Sequence, residues 1–198
     1  MPKRTLGAVP YLYPVPIVLV GAMVEGRANY ATVGDCAIMG IRPAVVAVSL
    51  GESAFTTRGI TASRAFSINV PTTEMLPLVD HFGIVSGADV DKSALVESSP
   101  GRVLDVPLLV ACPVNLECRV VEQCTVEHRR IFVARVAETH VDERFVTETD
   151  RGVRIAPIPE LDPVLYALDN TYYRVGTPIG TGYQEAARMC DSPDSRRE

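Results

Sequence analysis

The sequence predicts a mainly β protein: a barrel of short antiparallel strands with a few helices. Short apolar runs rich in β-branched residues recur along the first two thirds of the 198-residue chain. Polar breaks containing Gly or Pro separate these runs, as expected for strands joined by turns. Only two segments have helical character. Because closure of a sheet removes its exposed edges, a closed barrel is the expected arrangement.

The first strands follow one another closely. Residues 15–20 form an apolar, β-branched run, which is typical of a strand buried on both faces. Residues 25–29 are polar and include a glycine, so they predict a hairpin connection. An extended pattern resumes over residues 30–39. Pro43 then opens a third strand over residues 44–50, at the position where a strand tolerates proline.

Two helices are predicted next. Residues 53–63 form the first, with Ser53 or Thr56 as its N-terminal cap. A strand over residues 65–70 follows and stops at Pro71. The second helix covers residues 73–82 and is predicted to end at Gly83, because glycine commonly ends helices. Residues 86–92 are a predicted loop.

The carboxyl-terminal half adds further strands. Residues 108–126 alternate as a strand does. Leu116, Cys118 and Val120 face one way, and Asn115, Glu117 and Arg119 face the other. Residues 131–136 and 144–147 predict two more strands. Residues 188–198 are polar and are predicted to form a flexible tail.

Composition and charge exclude several classes of protein. A hydrophobic content of 47% and a charged content of 22% are typical of a folded domain. With 19 Lys and Arg against 24 Asp and Glu, the net charge of −5 disfavours non-specific nucleic-acid binding. The longest apolar run, residues 15–24, is about half of the roughly twenty residues that span a membrane. No signal-peptide pattern is present, so we expect a cytoplasmic protein without membrane partners.

Common catalytic and metal-binding motifs are absent from the sequence. There is no G-x-G-x-x-G, no G-x-S-x-G and no closely spaced pair of His residues. The glycine-rich residues 176–182 lack the Lys-Ser/Thr ending of a phosphate-binding loop and predict a turn. Five Cys without C-x-x-C spacing predict reduced thiols, most of them packed as small hydrophobic residues. We therefore predict neither a metal site nor a catalytic side chain.

Two clusters of small and hydroxyl residues stand beside strand ends, over residues 29–33 and 49–58. The second cluster includes a helix start, where free N–H groups and the helix dipole favour an anion. Ser53, Thr56 and Thr57 add hydroxyl donors. Hydroxyls at a helix start also serve as plain caps, so these residues alone leave both interpretations open.

The order and spacing of segments from Tyr13 to Tyr183 resemble the flavin reductase-like family of FMN-binding split β-barrels, including its flavoredoxin group. The matching segments are Tyr13-Pro14-Val15-Pro16, Asn29-Tyr30-Ala31-Thr32, Pro43 with residues 45–49, Thr56, residues 66–71, residues 83–87, residues 89–92 and residues 162–166. The resemblance implies one FMN-binding, Greek-key split-barrel domain over residues 1–187.

The resemblance also implies the cofactor site. In that family the segment matching residues 29–33 lies along the isoalloxazine ring, and the segment matching residues 49–57 holds the ribityl chain and phosphate. The implied FMN-binding residues are Asn29, Tyr30, Ala31, Thr32, Val33, Ser49, Leu50, Gly51, Ser53, Thr56, Thr57, Ser86 and Lys92. Ser53 and Thr56 would bind phosphate. Lys92 would offset its charge or polarise a ring carbonyl, unless it is a solvated loop lysine.

Three residues near the implied site need separate interpretation. Asp35 stands where many relatives carry a bulky residue beside the ring, so it either opens the pocket or places a carboxylate near the flavin N5. Glu52 lies beside the implied phosphate and is unfavourable there unless it points to solvent. Cys36 lies close to the ring segment, as a packed residue or a redox thiol.

The expected function is electron or hydride transfer through FMN in a homodimer. As an oxidoreductase, the protein would take electrons from NAD(P)H. As a carrier module of the flavoredoxin type, it would exchange them with a redox-protein partner. A barrel that retains the fold without flavin is a third possibility. In relatives the partner subunit supplies a second wall to the flavin site, and the candidate for that wall is the loop of residues 86–92.

Overall fold

The chain folds around one large antiparallel sheet, and the computed structural model describes residues 1–150, 152–167 and 169–184. The strands are β1 (Val15–Pro16), β2 (Val18–Val24), β3 (Arg27–Val33), β4 (Cys36–Ile41), β5 (Ala44–Gly51), β6 (Ala65–Val70), β7 (Ser98–Pro100), β8 (Pro107–Leu109), β9 (Val114–Val126), β10 (Arg129–Val141), β11 (Val146–Thr149), β12 (Gly152–Ile155), β13 (Val164–Tyr166) and β14 (Tyr172–Arg174). The helices are α1 (Phe55–Ser63), α2 (Leu76–Ile84) and α3 (Ile158–Leu161), with 3-10 turns at Thr73–Met75, Lys92–Leu95 and Glu143–Phe145.

Seven strands form the main sheet in the order β3-β2-β6-β9-β10-β5-β4, and every neighbouring pair is antiparallel. β3 and β5 also contact each other although they are not neighbours in this order, so the sheet curls back on itself. The two edge strands, β3 and β4, are connected along the chain by Gly34 and Asp35, but they do not pair with each other among the described residues. The mainly β class is therefore confirmed, whereas the expected closed ring of strands is wrong.

β2 is buried on both faces, as the apolar run over residues 15–20 predicts. Val18 and Val20 pack inside the curled sheet, where Phe66 and Phe132 are fully buried. Leu19, between them, faces the opposite side and joins a second cluster beneath α2. Two apolar layers on one strand follow from the alternation of side chains along an extended chain.

α1 begins two residues later than predicted, at Phe55, and its capping residue is Ala54, which makes no side-chain cap. The expected caps, Ser53 and Thr56, are wrong. The Thr57 hydroxyl instead donates to the backbone oxygen of Gly51 at 2.8 Å. The local pattern of hydroxyl residues cannot select the capping residue, because the turn before the helix also depends on a distant segment: the N–H of Glu52 donates to the backbone oxygen of His128 at 2.9 Å.

α2 is preceded by the 3-10 turn Thr73–Met75 and runs through Gly83 to Ile84. The prediction that Gly83 ends this helix is wrong. The N–H of Val85 still donates to the backbone oxygen of His81 at 3.1 Å, so helical bonding continues past the glycine. The predicted tail, residues 188–198, lies outside the described residues. Within those residues, no helix is long and apolar enough to cross a membrane.

Asn115 and Glu117 on the polar face of β9 are buried, whereas Arg119 on the same predicted face is exposed. Asn115 donates to Oδ1 of Asn69 at 2.8 Å, and the same oxygen accepts the N–H of Leu109 on β8 at 2.9 Å. The segment around β8 therefore covers the face of β9 that carries the polar side chains. Buried amides need partners of this kind, because an unpaired one would be costly.

Glu117 on β9 is completely buried and fastens a loop to the sheet. Its carboxylate accepts the backbone N–H groups of Arg102, Val103 and Leu104 at 2.6–2.9 Å, and Nε2 of His140 lies 2.7 Å from Oε1. Burial raises the pKa of this carboxyl, but the bonds from His140 and the three N–H groups outweigh it and leave the pKa below its ordinary value.

We expect Glu117→Gln to lower the free energy of unfolding at neutral pH by about 2–3 kcal/mol, because hydrogen bonds to a charged group are lost and an amide N–H₂ faces backbone donors. The wild-type contribution is present above the unfolded carboxyl pKa of about 4.3 and is lost as pH falls through the lower folded value. The stability difference between the two proteins should therefore shrink in acid. Urea unfolding at a series of pH values measures it.

Glu122→Gln is the matched control, since Glu122 is exposed on the same strand. It should change stability little at any pH. A constant difference between wild type and Glu117→Gln across the acid range would contradict a role for the Glu117 charge.

Candidate ligand-binding site

A cleft of about 770 Å³ opens beside the edge of the sheet. Its walls come from β1, the ends of β3 and β5, the start of α1, the end of α2, the following loop and the β13–β14 hairpin. This volume lies within the range of roughly 300–1,000 Å³ that holds small ligands and cofactors. The cleft is the place where sequence-distant strand ends meet.

Most of the predicted site residues line this cleft. They are Ala31, Thr32, Val33, Ser49, Leu50, Gly51, Thr56, Ser86 and Lys92. The cleft thus brings together the two predicted clusters and the predicted loop within one chain. The loop of residues 86–92 packs on its own β3, where Arg27 donates to the backbone oxygen of Gly87 at 2.8 Å.

The remaining predicted residues stand outside the cleft lining. Asn29 is buried behind it and donates from Nδ2 to Oγ1 of Thr56 at 2.8 Å. Tyr30 is buried and stacks on Phe82, with ring centroids 5.9 Å apart and planes 5° apart. Thr57 is turned to Gly51, and Ser53 is exposed. Asn29 and Tyr30 therefore support the wall rather than form its surface.

The start of α1 forms one end of the cleft. Ala54, Phe55 and Thr56 all line it, and no side chain caps the first N–H groups of the helix. The Thr56 oxygen accepts from Asn29, and its hydroxyl hydrogen has no acceptor among the described residues. Uncapped helix N–H groups and a free hydroxyl donor make this end favourable for an anion.

Lys92 forms a second polar point in the cleft. Lys92 is 3% exposed, and its ammonium donates to the backbone oxygens of Tyr30 at 2.9 Å and Phe82 at 2.8 Å. Burial lowers the pKa of this amine to about 8. An ammonium has three donors, so one remains for a ligand. The alternative of a solvated loop lysine is excluded by this burial.

Asp35 and Arg129 form an ion pair at the rim of the cleft. Arg129 also donates from Nη2 to the backbone oxygen of Ser49 at 2.6 Å and from Nε to its hydroxyl at 3.1 Å. Arg129 is a site residue that no sequence pattern indicated. The hydrogen bond from Arg129 to Asp35 joins positions 94 residues apart, and no local sequence pattern indicates such a contact.

The structure places two further residues, Glu52 and Cys36, whose roles near the site the sequence left open. Glu52 is exposed and pairs with Arg130 at 3.2 Å. Cys36 is half-buried against the backbone oxygen of Pro16, and burial together with the nearby Asp35 charge raises the pKa of its thiol to about 11. Since a reactive cysteine needs a low pKa, Cys36 fits the packed interpretation.

One wall of the cleft carries aromatic side chains, which the sequence did not predict. Tyr13, Tyr166 and Tyr172 line it. The rings of Tyr166 and Tyr172 lie 5.2 Å apart at 53°, and the Tyr172 hydroxyl donates to Asp80 at 3.0 Å. These tyrosines come from β13, β14 and the segment before β1. The cleft therefore combines flat apolar walls with a few fixed donors.

The fold and the cleft define a class: an open, barrel-like antiparallel sheet with a cleft whose walls and donors suit a flat ligand that carries an anionic group. The chain belongs to the Flavin reductase like domain family, which matches residues 11–173. The predicted family is thereby confirmed.

Known proteins resemble the chain over most of its length. The flavoredoxin from Methanosarcina acetivorans superposes with a TM-score of 0.88 at 31% identity, over 96% of this chain and 100% of that one. An FMN-binding protein from Thermus thermophilus, solved with bound 1-cyclohex-2-enone, gives a TM-score of 0.76 at 26% identity over 91% and 99%. An NADH-dependent FMN reductase from Streptomyces nodosus subsp. asukaensis is 30% identical over 146 residues, 71% of this chain and 74% of that protein. These likenesses confirm the split-barrel fold.

We expect the Lys92 ammonium to titrate near pH 8, well below the ordinary lysine value of about 10.4, because it is desolvated and has no ion-pair partner among the described residues. The sequence contains only two lysines, Lys3 and Lys92. Protein labelled with ¹³C at lysine Cε should therefore give two resolvable signals in an NMR titration.

Lys3, in the exposed amino-terminal segment, serves as the internal reference, and Lys92→Arg assigns the signals by removing one of them. Two signals that titrate together would contradict the burial of Lys92.

Proposed function

We propose that the cleft binds FMN and that the protein is an oxidoreductase that transfers electrons or hydride through it. The observation that carries this proposal is the uncapped start of α1, with the free Thr56 hydroxyl, at one end of a cleft with flat apolar walls. The FMN-binding protein and the FMN reductase similar to this chain support FMN as the ligand.

The residues present fit this cofactor. A phosphate needs donors, and the start of α1 with Thr56 supplies them. An isoalloxazine ring needs apolar walls and a few hydrogen bonds, for which Ala31, Val33 and Leu50 provide surface and Lys92 a remaining donor. FMN supplies the redox chemistry when bound, and the protein's part is to hold and orient it and to exclude water.

Two roles are compatible with such a site. The NADH-dependent FMN reductase similar to this chain favours an enzyme that oxidises NAD(P)H. The likeness to a flavoredoxin favours the second candidate, an electron carrier that serves a protein partner. Steady-state oxidation of NADH and NADPH by the FMN-loaded protein distinguishes the two roles. Sustained turnover with free flavin as acceptor supports the enzyme, and its absence supports the carrier.

We expect Thr56→Val to weaken FMN binding by about ten- to a hundredfold, because a hydroxyl donor to a charged phosphate is worth about 1.5–3 kcal/mol. Riboflavin, which lacks the phosphate, should bind the variant almost as well as the wild type. Quenching of flavin fluorescence during titration of the apoprotein measures both affinities.

Thr57→Val is the matched control, since Thr57 does not line the cleft and its hydroxyl is bonded to the backbone oxygen of Gly51. It should lower stability without changing the ratio of FMN to riboflavin affinity. Equal weakening of both flavins by Thr56→Val would show that Thr56 supports the wall instead of binding phosphate.

We further propose that the protein is a homodimer and that β4 contributes to the interface. β4 is an edge of the sheet, and its apolar side chains Ile38, Met39 and Ile41 are 61–81% exposed. An exposed apolar edge strand is unfavourable in a monomer, and covering it by a second copy removes that cost. β4 is a better candidate for the interface than the loop of residues 86–92, which packs on its own chain. A cytoplasmic location remains a prediction from the sequence.

We expect Ile38→Glu to shift the protein towards monomer, because it places a charge in the apolar patch, and to reduce flavin retention if the second chain closes the cleft. Sedimentation across a dilution series, read at protein and flavin wavelengths, measures both effects. Val153→Glu is the control, a charge at an exposed valine on β12. A wild-type protein that stays monomeric at high concentration would reject the dimer.

A further inference from the structure

We propose that Arg129 recognises a carboxylate or phosphate group on the second ligand, the molecule that enters the cleft beside the flavin. This inference rests on the proposed function, because it assumes that FMN occupies the cleft. It concerns a guanidinium that three sequence-distant segments hold at the cleft rim: the β3–β4 junction, the end of β5 and the start of β10.

The guanidinium is fixed in place before any ligand arrives. The Cα of Arg129 lies opposite Gly51 in the β5–β10 register, and its side chain reaches back to Ser49. The backbone N–H of Ser49 donates to the backbone oxygen of Asp35 at 2.8 Å, which places the Asp35 carboxylate beside the same arginine. A planar group held by several bonds loses little entropy when it binds another oxyanion.

Arg129 has donors left over. Of its five N–H groups, Nε and Nη2 are used by Ser49 and Asp35, whereas the two on Nη1 have no partner among the described residues. The side chain is 44% exposed and lines the cleft. An accessible guanidinium nitrogen with two unused N–H groups can donate charge-assisted hydrogen bonds to a carboxylate or phosphate.

The ion pair contributes little to folding. Both partners are substantially exposed, Asp35 to 68%, and surface ion pairs of this kind stabilise proteins only weakly. Its position at a binding cleft is therefore better explained by ligand recognition. Asp35 keeps the rim near neutrality when no ligand is present, so that the guanidinium attracts an oxyanion only at short range.

The second ligand, and not the flavin phosphate, is the expected target. The proposed phosphate position is the start of α1 with Thr56. Arg129 is instead bonded to Asp35, directly after the segment proposed for the flavin ring, and to Ser49, seven residues before Thr56. The same cleft carries the aromatic rings of Tyr13, Tyr166 and Tyr172. A flat molecule with one oxyanion matches these two features together.

The test uses FMN-loaded protein and two pairs of probes that differ in one oxyanion. Benzoate is compared with benzamide, and nicotinamide mononucleotide with nicotinamide riboside. Binding is measured by calorimetry and by perturbation of the flavin absorbance. The first pair reports a carboxylate source and the second a phosphate source.

We expect Arg129→Gln to weaken the charged member of at least one pair by about ten- to a hundredfold, since charge-assisted hydrogen bonds are lost, and to leave the neutral members unchanged. Arg130→Gln, a neighbouring arginine that pairs with Glu52 outside the cleft lining, should change neither member. Asp35→Asn should tighten the charged member, because the guanidinium then carries an uncompensated charge.

The two rim variants separate recognition from structure. Arg129→Gln and Asp35→Asn break the same ion pair, so a structural role predicts effects of the same sign and recognition predicts opposite signs. The inference is overturned by equal weakening of charged and neutral probes, by effects of the same sign in the two variants, or by wild-type protein that prefers the neutral probes.

Flavin titrations of the apoprotein keep this test distinct from the test of the proposed function. Loss of FMN affinity in Arg129→Gln with unchanged riboflavin affinity would overturn the inference, because the guanidinium would then bind the flavin phosphate. A wild-type protein that binds no FMN would reject the proposed function itself.

Discussion

A buried ammonium, Nζ of Lys92, holds the cleft together. It bonds the backbone oxygen of Tyr30 on β3 and that of Phe82 on α2, and it lies 5.2 Å from the centre of the Phe82 ring. The ammonium thus donates a hydrogen bond to each of two backbone carbonyl groups in an environment that is nearly free of water. The charge is desolvated without a carboxylate partner among the described residues, so its burial is costly. β3, α2 and the 3-10 turn that begins at Lys92 must therefore stay close together, so that the ammonium keeps its hydrogen bonds.

The wall behind the cleft depends on a layer of buried contacts. Tyr30 stacks on Phe82, and Asn29 bonds Thr56, so β3 is joined to both α2 and α1. Gly87 is required for this arrangement, since a Cβ there would lie 1.9 Å from Oδ1 of Asn29. The residues that the ligand would touch are thus held by residues that it would not touch, which is the usual requirement of a preorganised site.

Charge in the cleft is arranged unevenly. The start of α1 and Lys92 are uncompensated positive points, whereas Arg129 at the rim is balanced by Asp35. Asp35 was expected to open the pocket or to place a carboxylate near the flavin. Its pairing with Arg129 removes most of the negative field that an isolated carboxylate would direct at a ligand.

The sequence by itself determined the class of fold, the main strands of the sheet and nine of the residues that line the cleft. Short apolar runs identified β2, β5 and β6, and an alternating pattern identified β9. The ordered segments from Tyr13 onward identified the family and with it residues such as Thr56 and Lys92. Only the tertiary structure decided that the sheet stays open between β3 and β4, that Ala54 leaves α1 without a side-chain cap, that Glu117 is buried, and that Arg129 reaches Asp35. Side-chain periodicity describes each segment alone, whereas these features depend on contacts between segments far apart in the chain, whose relative placement the packing of the whole fold selects.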